Sequence, residues 1–156
     1  MDVLSDTLVL GYGNPLRGDD AAGYVVAEKI LSLENYNIDA VSAHQLLPEH
    51  AELIRRYRRV FFVDASVDTT LKEIRVTHLS LRKTDLASLH ACDPESILSL
   101  CKALYDSSPE ATFIAIPARN FDFGEKLSPE TEISVLQAVD FIMKHSTLPL
   151  RSERDG

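Results

Sequence analysis

The segment 59–64 constrains the fold of this 156-residue chain more than any other stretch. Its sequence, Arg-Val-Phe-Phe-Val-Asp, places four apolar residues in a row between two charged ones. A strand with one face in water alternates apolar and polar residues, whereas a strand that is apolar throughout must be covered on both faces. Helices supply that cover in α/β proteins, so we expect a sheet between two helical layers.

Strand and helix patterns alternate along the chain in the order β-α-β-α-β-β-α-β-α. The predicted strands are 7–11, 38–42, 59–64, 73–79 and 111–117. The predicted helices begin at Asp19, Pro48, Asp93 and Ser128. The strand 73–79 alternates polar and apolar residues, which is typical of a sheet edge. We therefore predict one three-layer α/β/α domain over residues 1–146, with a largely parallel sheet that includes one odd strand, and a polar tail at 147–156.

The charge balance argues against one broad class of function. Asp and Glu number 24 against 16 Lys and Arg, so the formal net charge is −8. Such an excess repels phosphate backbones, and we expect no nucleic-acid partner. Cys92 and Cys101 do not form a CxxC pair, and the first residues carry acids where a signal peptide needs positive charge. These features favour a soluble, cytoplasmic protein with no membrane partner.

The glycine-rich loop 11–18 does not have the pattern of a nucleotide-binding loop. A dinucleotide fingerprint needs a third glycine where this chain has Leu16, and no Walker Gly-Lys-Ser/Thr is present. The loop leads into Asp19 and Asp20, which put negative charge where a pyrophosphate would dock. We expect Asp19 to cap the following helix and no nucleotide or organic cofactor to bind. Gly23 lies inside that helix, where glycine costs about 1 kcal/mol relative to alanine, and it indicates close packing of helix on sheet.

Three polar residues fall where α/β sheets bind ligands, at or near the carboxyl ends of strands. Asp20 follows the loop after the first strand, Asp64 ends the most apolar strand, and His90 precedes the helix that begins at Asp93. Two carboxylates and an imidazole suit a borderline divalent metal and leave coordination positions open for a substrate. From the residues alone, Asp20 could instead complement a helix dipole, and Asp64 could accept hydrogen bonds from the turn that follows it.

Several segments resemble one enzyme family. The stretch 11–23 is similar to the opening signature of the nickel–iron hydrogenase maturation endopeptidases, a glycine-glycine-asparagine loop followed by an acidic pair and a helix glycine. Residues 62–65 resemble the family's second motif, and His90 stands where its histidine is expected. Residues 44–49 and 123–129 resemble further family segments. The matches extend over about residues 7 to 145.

The resemblance implies a fold, an activity and a site. The fold is phosphorylase/hydrolase-like, with a mixed five-stranded sheet between helices. The activity removes a short C-terminal extension from the hydrogenase large-subunit precursor after nickel has been inserted. The ligands of the substrate's nickel carry over to Asp20, Asp64 and His90, with Asp20 standing where some members have glutamate. The residues expected to contact the rest of the substrate are Asn14, His44 and Gln45.

In this mechanism the nickel is carried by the substrate. The ion would place the scissile bond and act as a Lewis acid on its carbonyl or on water. No catalytic nucleophile is identified, because Ser66 and Cys92 lie near the expected ligands without a recognisable Ser-His-Asp or Cys-His arrangement.

Two alternative functions stay open. The Gly-x-Gly-Asn-Pro sequence after the first strand also resembles peptidyl-tRNA hydrolases, although residues 16–20 depart from that family and the net charge suits tRNA poorly. A non-catalytic assembly chaperone could use the same metal ligands to recognise the loaded precursor without cutting it.

Overall fold

The computed structural model of the chain describes residues 5–35, 37–81 and 93–150. The strands are β1 (Thr7–Tyr12), β2 (Ile38–Ala43), β3 (Arg59–Ser66), β4 (Arg75–Leu79) and β5 (Glu110–Pro117). They form one five-stranded sheet in the order β2-β1-β3-β5-β4. Every neighbouring pair is parallel except β4 with β5, which is antiparallel. The predicted mixed, mostly parallel sheet is confirmed, and β4 lies at its edge as its alternating sequence indicates.

Helices cover both faces of this sheet. They are a short 3-10 helix (Gly18–Ala21), α1 (Ala22–Ser32), α2 (His50–Ile54), α3 (Pro94–Tyr105) and α4 (Pro129–His145). Successive residues of β3 face opposite helical layers. Phe61 packs in the core beneath α1 and α4, and Phe62 packs in the core beneath α2 and α3. The predicted three-layer architecture is confirmed. No helix in the described ranges is long and apolar enough to cross a membrane.

The helix starts follow the sequence signals with two differences. Asp93 caps α3 by accepting the Ser96 N–H at 2.7 Å, and proline occupies the first turn, as expected. α2 begins at His50 rather than at Pro48, because Pro48 and Glu49 form the turn that precedes it. Asp19 does not cap α1, which begins only after the 3-10 helix that contains Asp19. The expected capping role of Asp19 is therefore wrong.

The contact between α1 and the sheet depends on two glycines. A Cβ atom on Gly23 would lie 2.2 Å from the carbonyl oxygen of Val63 and 2.6 Å from that of Tyr12. A Cβ atom on Gly11 would lie 2.0 Å from the carbonyl oxygen of Gly23. The backbone of α1 therefore lies directly on β1 and β3, which confirms the close packing predicted from Gly23. This approach brings the segment just before α1 next to the end of β3.

Candidate functional site

The carboxyl ends of β1, β2, β3 and β5 lie at the same end of the sheet. We call this end the carboxyl edge, as distinct from the edge strands β2 and β4. Asp20 lies there in the 3-10 helix, and Asp64 lies there near the end of β3, both half-buried. The Asn14 N–H donates to Oδ2 of Asp20 at 2.9 Å, and the Ala65 N–H donates to Oδ1 of Asp64 at 2.8 Å. Both predicted carboxylates are thus held in place by backbone donors on the same edge.

The two carboxylates influence each other electrostatically. Burial raises the pKa of Asp64, the Ala65 N–H lowers it, and the charge of Asp20 raises it again, to about 7 in total. Tyr12, buried at the end of β1, also has a raised pKa because of its burial and the nearby charges of Asp64 and Asp93. The negative charges of Asp20 and Asp64 repel each other, and a cation bound near both would relieve that repulsion. The site is therefore suited to a positively charged ligand.

Tyr12 was not among the residues that sequence reasoning selected. It stands in the glycine-rich segment 11–18, which the sequence indicates as a turn, whereas the structure makes it the last residue of β1, one position beyond the Gly11–Val63 pair and within reach of the charges of Asp64 and Asp93. A phenol at this position can donate a hydrogen bond without adding negative charge to the acidic site.

Asp19, next to Asp20 in sequence, has a structural role that the sequence pattern did not reveal. Its carboxylate is fully buried and accepts hydrogen bonds from three backbone N–H groups, at 2.7 Å from Arg119, 2.9 Å from Asn120 and 2.7 Å from Ser128. The Ser128 hydroxyl donates to it as well, at 2.7 Å. Burial would raise the pKa of Asp19, but these donors outweigh burial and lower it. Asp19 thereby ties the loop after β5 to the segment that carries Asp20.

We expect Asp19→Asn to lower the free energy of unfolding by about 1–3 kcal/mol. Whichever way the new amide is oriented, its NH2 group faces at least one backbone N–H that now has no acceptor. Urea unfolding at neutral pH measures the effect, with Asp122→Asn as the control because Asp122 is an exposed acid on the same loop. Equal stability of the two variants would contradict this role for Asp19.

The residues predicted to contact the substrate lie in the loop after β1 and just after the end of β2. The side-chain carbonyl of Asn14 accepts the Leu16 N–H at 2.9 Å and so fixes the loop. His44 and Gln45 are exposed just after β2, and the His44 ring lies edge-on to the Tyr24 ring with centroids 6.0 Å apart. Ala43, the last residue of β2, accepts the Gly13 N–H at 3.1 Å, which places His44 next to the loop. Contact of these residues with a substrate stays a prediction.

The third predicted metal ligand, His90, lies outside the described residues, as does Cys92. Within residues 5–35, 37–81 and 93–150, no three His, Cys, Asp or Glu side chains are grouped so that they could hold a metal ion. Asp20 and Asp64 are thus an incomplete ligand set by themselves and would need donors from His90 or from a substrate. The Ser66 hydroxyl accepts the Asp68 N–H at 3.1 Å, which gives it a turn-forming role.

Three comparisons relate the chain to known proteins. No protein-family model matches it, and no curated protein matches it. Among solved structures, the [NiFe] hydrogenase maturation protease HybD from Thermococcus kodakarensis is 28% identical, covers 90% of this chain and 99% of its own, and superposes with a TM-score of 0.67. A hydrogenase 2 maturation peptidase from a Thaumarchaeota archaeon is 24% identical, with 93% and 100% coverage and a TM-score of 0.69.

A third solved structure, the [NiFe] hydrogenase maturation protease HycI from Thermococcus kodakarensis KOD1, is 19% identical, with 90% and 91% coverage and a TM-score of 0.71. The Thaumarchaeota and HycI structures support the fold. The likeness to HybD extends over nearly the whole of both chains and agrees with the motifs at 11–23 and 62–65. The chain therefore resembles the hydrogenase maturation endopeptidases, which are hydrolases that cut peptide bonds, in its fold and over nearly its whole length.

Proposed function

We propose that the chain removes a C-terminal extension from the large-subunit precursor of a nickel–iron hydrogenase, and that it recognises the precursor by its bound nickel. The observation that carries this proposal is the placement of Asp20 and Asp64, whose charges influence each other, at the carboxyl edge of a fold shared with a [NiFe] hydrogenase maturation protease. A carboxylate pair at this edge is an anionic site open to a macromolecular substrate.

The hydrogen bonds at the two carboxylates are compatible with binding an ion. Among the described residues, these bonds occupy Oδ2 of Asp20 and Oδ1 of Asp64, so each carboxylate keeps a second oxygen for the nickel. His90 is the proposed third ligand. The ion belongs to the substrate, and its remaining ligands come from the precursor.

The same charges would make cleavage depend on nickel. A loaded precursor brings a cation that relieves the repulsion between Asp20 and Asp64, whereas an empty precursor leaves that repulsion in place. Selectivity then results from attraction to the loaded form, because the empty precursor gains no such interaction.

Once held, the nickel would fix the position of the scissile bond relative to the site. It can also polarise the carbonyl or a water molecule that attacks it. Hydrolysis adds this water across the peptide bond, which leaves a carboxylate on the mature subunit and an amine on the released peptide.

Intact-mass measurement of the precursor tests this function. The purified protein is incubated with nickel-loaded and with nickel-free large-subunit precursor from the same organism. We expect the loaded precursor alone to lose the mass of a short C-terminal peptide. Equal cleavage of both forms contradicts recognition through nickel, and a stable complex with no change in mass indicates the assembly chaperone instead.

A further inference from the structure

Three large apolar side chains are exposed at the carboxyl edge. Phe123 is 85% exposed, Val67 is 82% exposed and Leu16 is 45% exposed. Phe123 and Val67 are the two most exposed large apolar side chains in the described part of the chain. Exposed apolar groups that cluster at one place on a surface commonly mark an interaction site. We call Leu16, Val67 and Phe123 the apolar rim.

The exposure of Phe123 is imposed by a fixed loop. The Gly18 N–H donates to the carbonyl of Gly124 at 2.8 Å, and the Gly124 N–H donates to the carbonyl of Leu16 at 2.7 Å. The buried carboxylate of Asp19 holds both ends of the same loop. These contacts fix the loop that carries the exposed phenyl ring. Covering the ring with a partner is therefore favourable, and ordering the loop costs little further conformational entropy on binding.

Two members of the apolar rim lie close to the acidic pair along the chain. Leu16 is four residues before Asp20, and the carbonyl of Arg17 accepts the Asp20 N–H at 3.0 Å. Val67 follows Asp64 by three residues, directly after the end of β3. A protein whose metal ion reaches Asp20 and Asp64 therefore brings its own surface close to Leu16 and Val67, and the hydrogen bonds of Gly124 to Leu16 and Gly18 connect Phe123 to the same loop.

We propose that the apolar rim is the docking surface for the folded body of the precursor, with Phe123 as its main anchor. The inference rests on the proposed function, since the occupant is the same polypeptide that carries the nickel to Asp20 and Asp64. Large aromatic side chains are enriched among the few residues that carry most of the binding energy of an interface. The rim recognises an apolar surface around the metal, whereas the acidic pair recognises the metal.

Steady-state cleavage of the nickel-loaded precursor tests the anchor. We expect Phe123→Ala to raise KM by about tenfold or more, with kcat within about twofold of the parent, because docking is lost and the acidic site is kept. Leu104→Ala is the matched control, since Leu104 is 59% exposed near the far end of α3, away from the carboxyl edge. A parent-like KM in Phe123→Ala overturns the proposal.

A photocrosslinking experiment separates docking from proteolysis. A benzophenone amino acid in place of Phe123 should crosslink to the precursor, whereas the same group in place of Leu104 should not. Crosslinking from position 123 without cleavage by the parent supports docking and contradicts the proposed function. Cleavage by the parent with no crosslink overturns docking alone, and the absence of both overturns both.

Sedimentation of the protein alone tests the competing occupant, a second copy of this chain. We expect the parent and Phe123→Ala to sediment as the same species. A dimer in the parent that becomes a monomer in Phe123→Ala would assign the rim to self-association and overturn the proposal.

Discussion

We expect Asp64→Asn to lower the rate of cleavage of the nickel-loaded precursor by at least about 100-fold. The substitution keeps the shape of the side chain, and its carbonyl oxygen can still accept the Ala65 N–H at the position of Oδ1. It removes one of the two negative charges that face the substrate's ion, which is the property the proposal requires. We expect Asp20→Asn to have an effect of similar size, because each carboxylate alone is a weak site for a divalent cation.

Two controls make this result specific. Asp68→Asn removes an acid just after the end of β3, where the carboxylate pairs with Arg75 at 3.5 Å, and this variant should cleave like the parent. The double variant at Asp20 and Asp64 should be little worse than either single one, since ligands of one ion act as a unit. Parent-like cleavage by Asp64→Asn would exclude this carboxylate from recognition of the nickel.

We expect Gly23→Ala to lower the free energy of unfolding by at least about 3 kcal/mol. Alanine favours the helix by about 1 kcal/mol, but its Cβ atom would lie within the contact distance of two backbone oxygens. These belong to Val63 and Tyr12, at 2.2 and 2.6 Å, and neither can move without disturbing β1 or β3. The cost of separating α1 from the sheet therefore exceeds the gain in helix propensity.

Thermal or urea unfolding measures this effect, with Lys29→Ala as the control on the exposed face of α1. The control should unfold close to the parent. The Gly23 variant should also lose cleavage at temperatures where the parent is folded, because the separation shifts Asp20 away from Asp64. A Gly23→Ala protein as stable as the parent would contradict the close packing of α1.

The fold could be predicted because local patterns and tertiary packing agree in this chain. The apolar run at 59–64 required cover on both faces, and Phe61 and Phe62 indeed point into opposite cores. Gly23 indicated a close approach of helix and sheet before the distances to Val63 and Tyr12 were known. The sequence predicts the start of α2 at Pro48, two residues before the observed start at His50, because proline fits both the first turn of a helix and the turn that precedes it.

The site was harder to predict because two neighbouring acids have different roles. The sequence favours Asp19 as a helix cap, yet the structure buries its carboxylate against the loop after β5, whereas Asp20 stays half-buried and its charge acts on Asp64. The donors to Asp19 lie about a hundred residues away, so no local pattern could reveal them. The placement of His90 stays a prediction.

X-ray absorption at the nickel edge tests most directly whether the chain contacts the substrate's metal. The precursor is loaded with nickel and measured alone, then in complex with the parent protein and with the Asp20→Asn, Asp64→Asn double variant. We predict additional oxygen ligands on the nickel in the parent complex and their absence in the complex with the variant. A nickel spectrum that the parent protein leaves unchanged, although it binds and cleaves the precursor, would contradict recognition through Asp20 and Asp64.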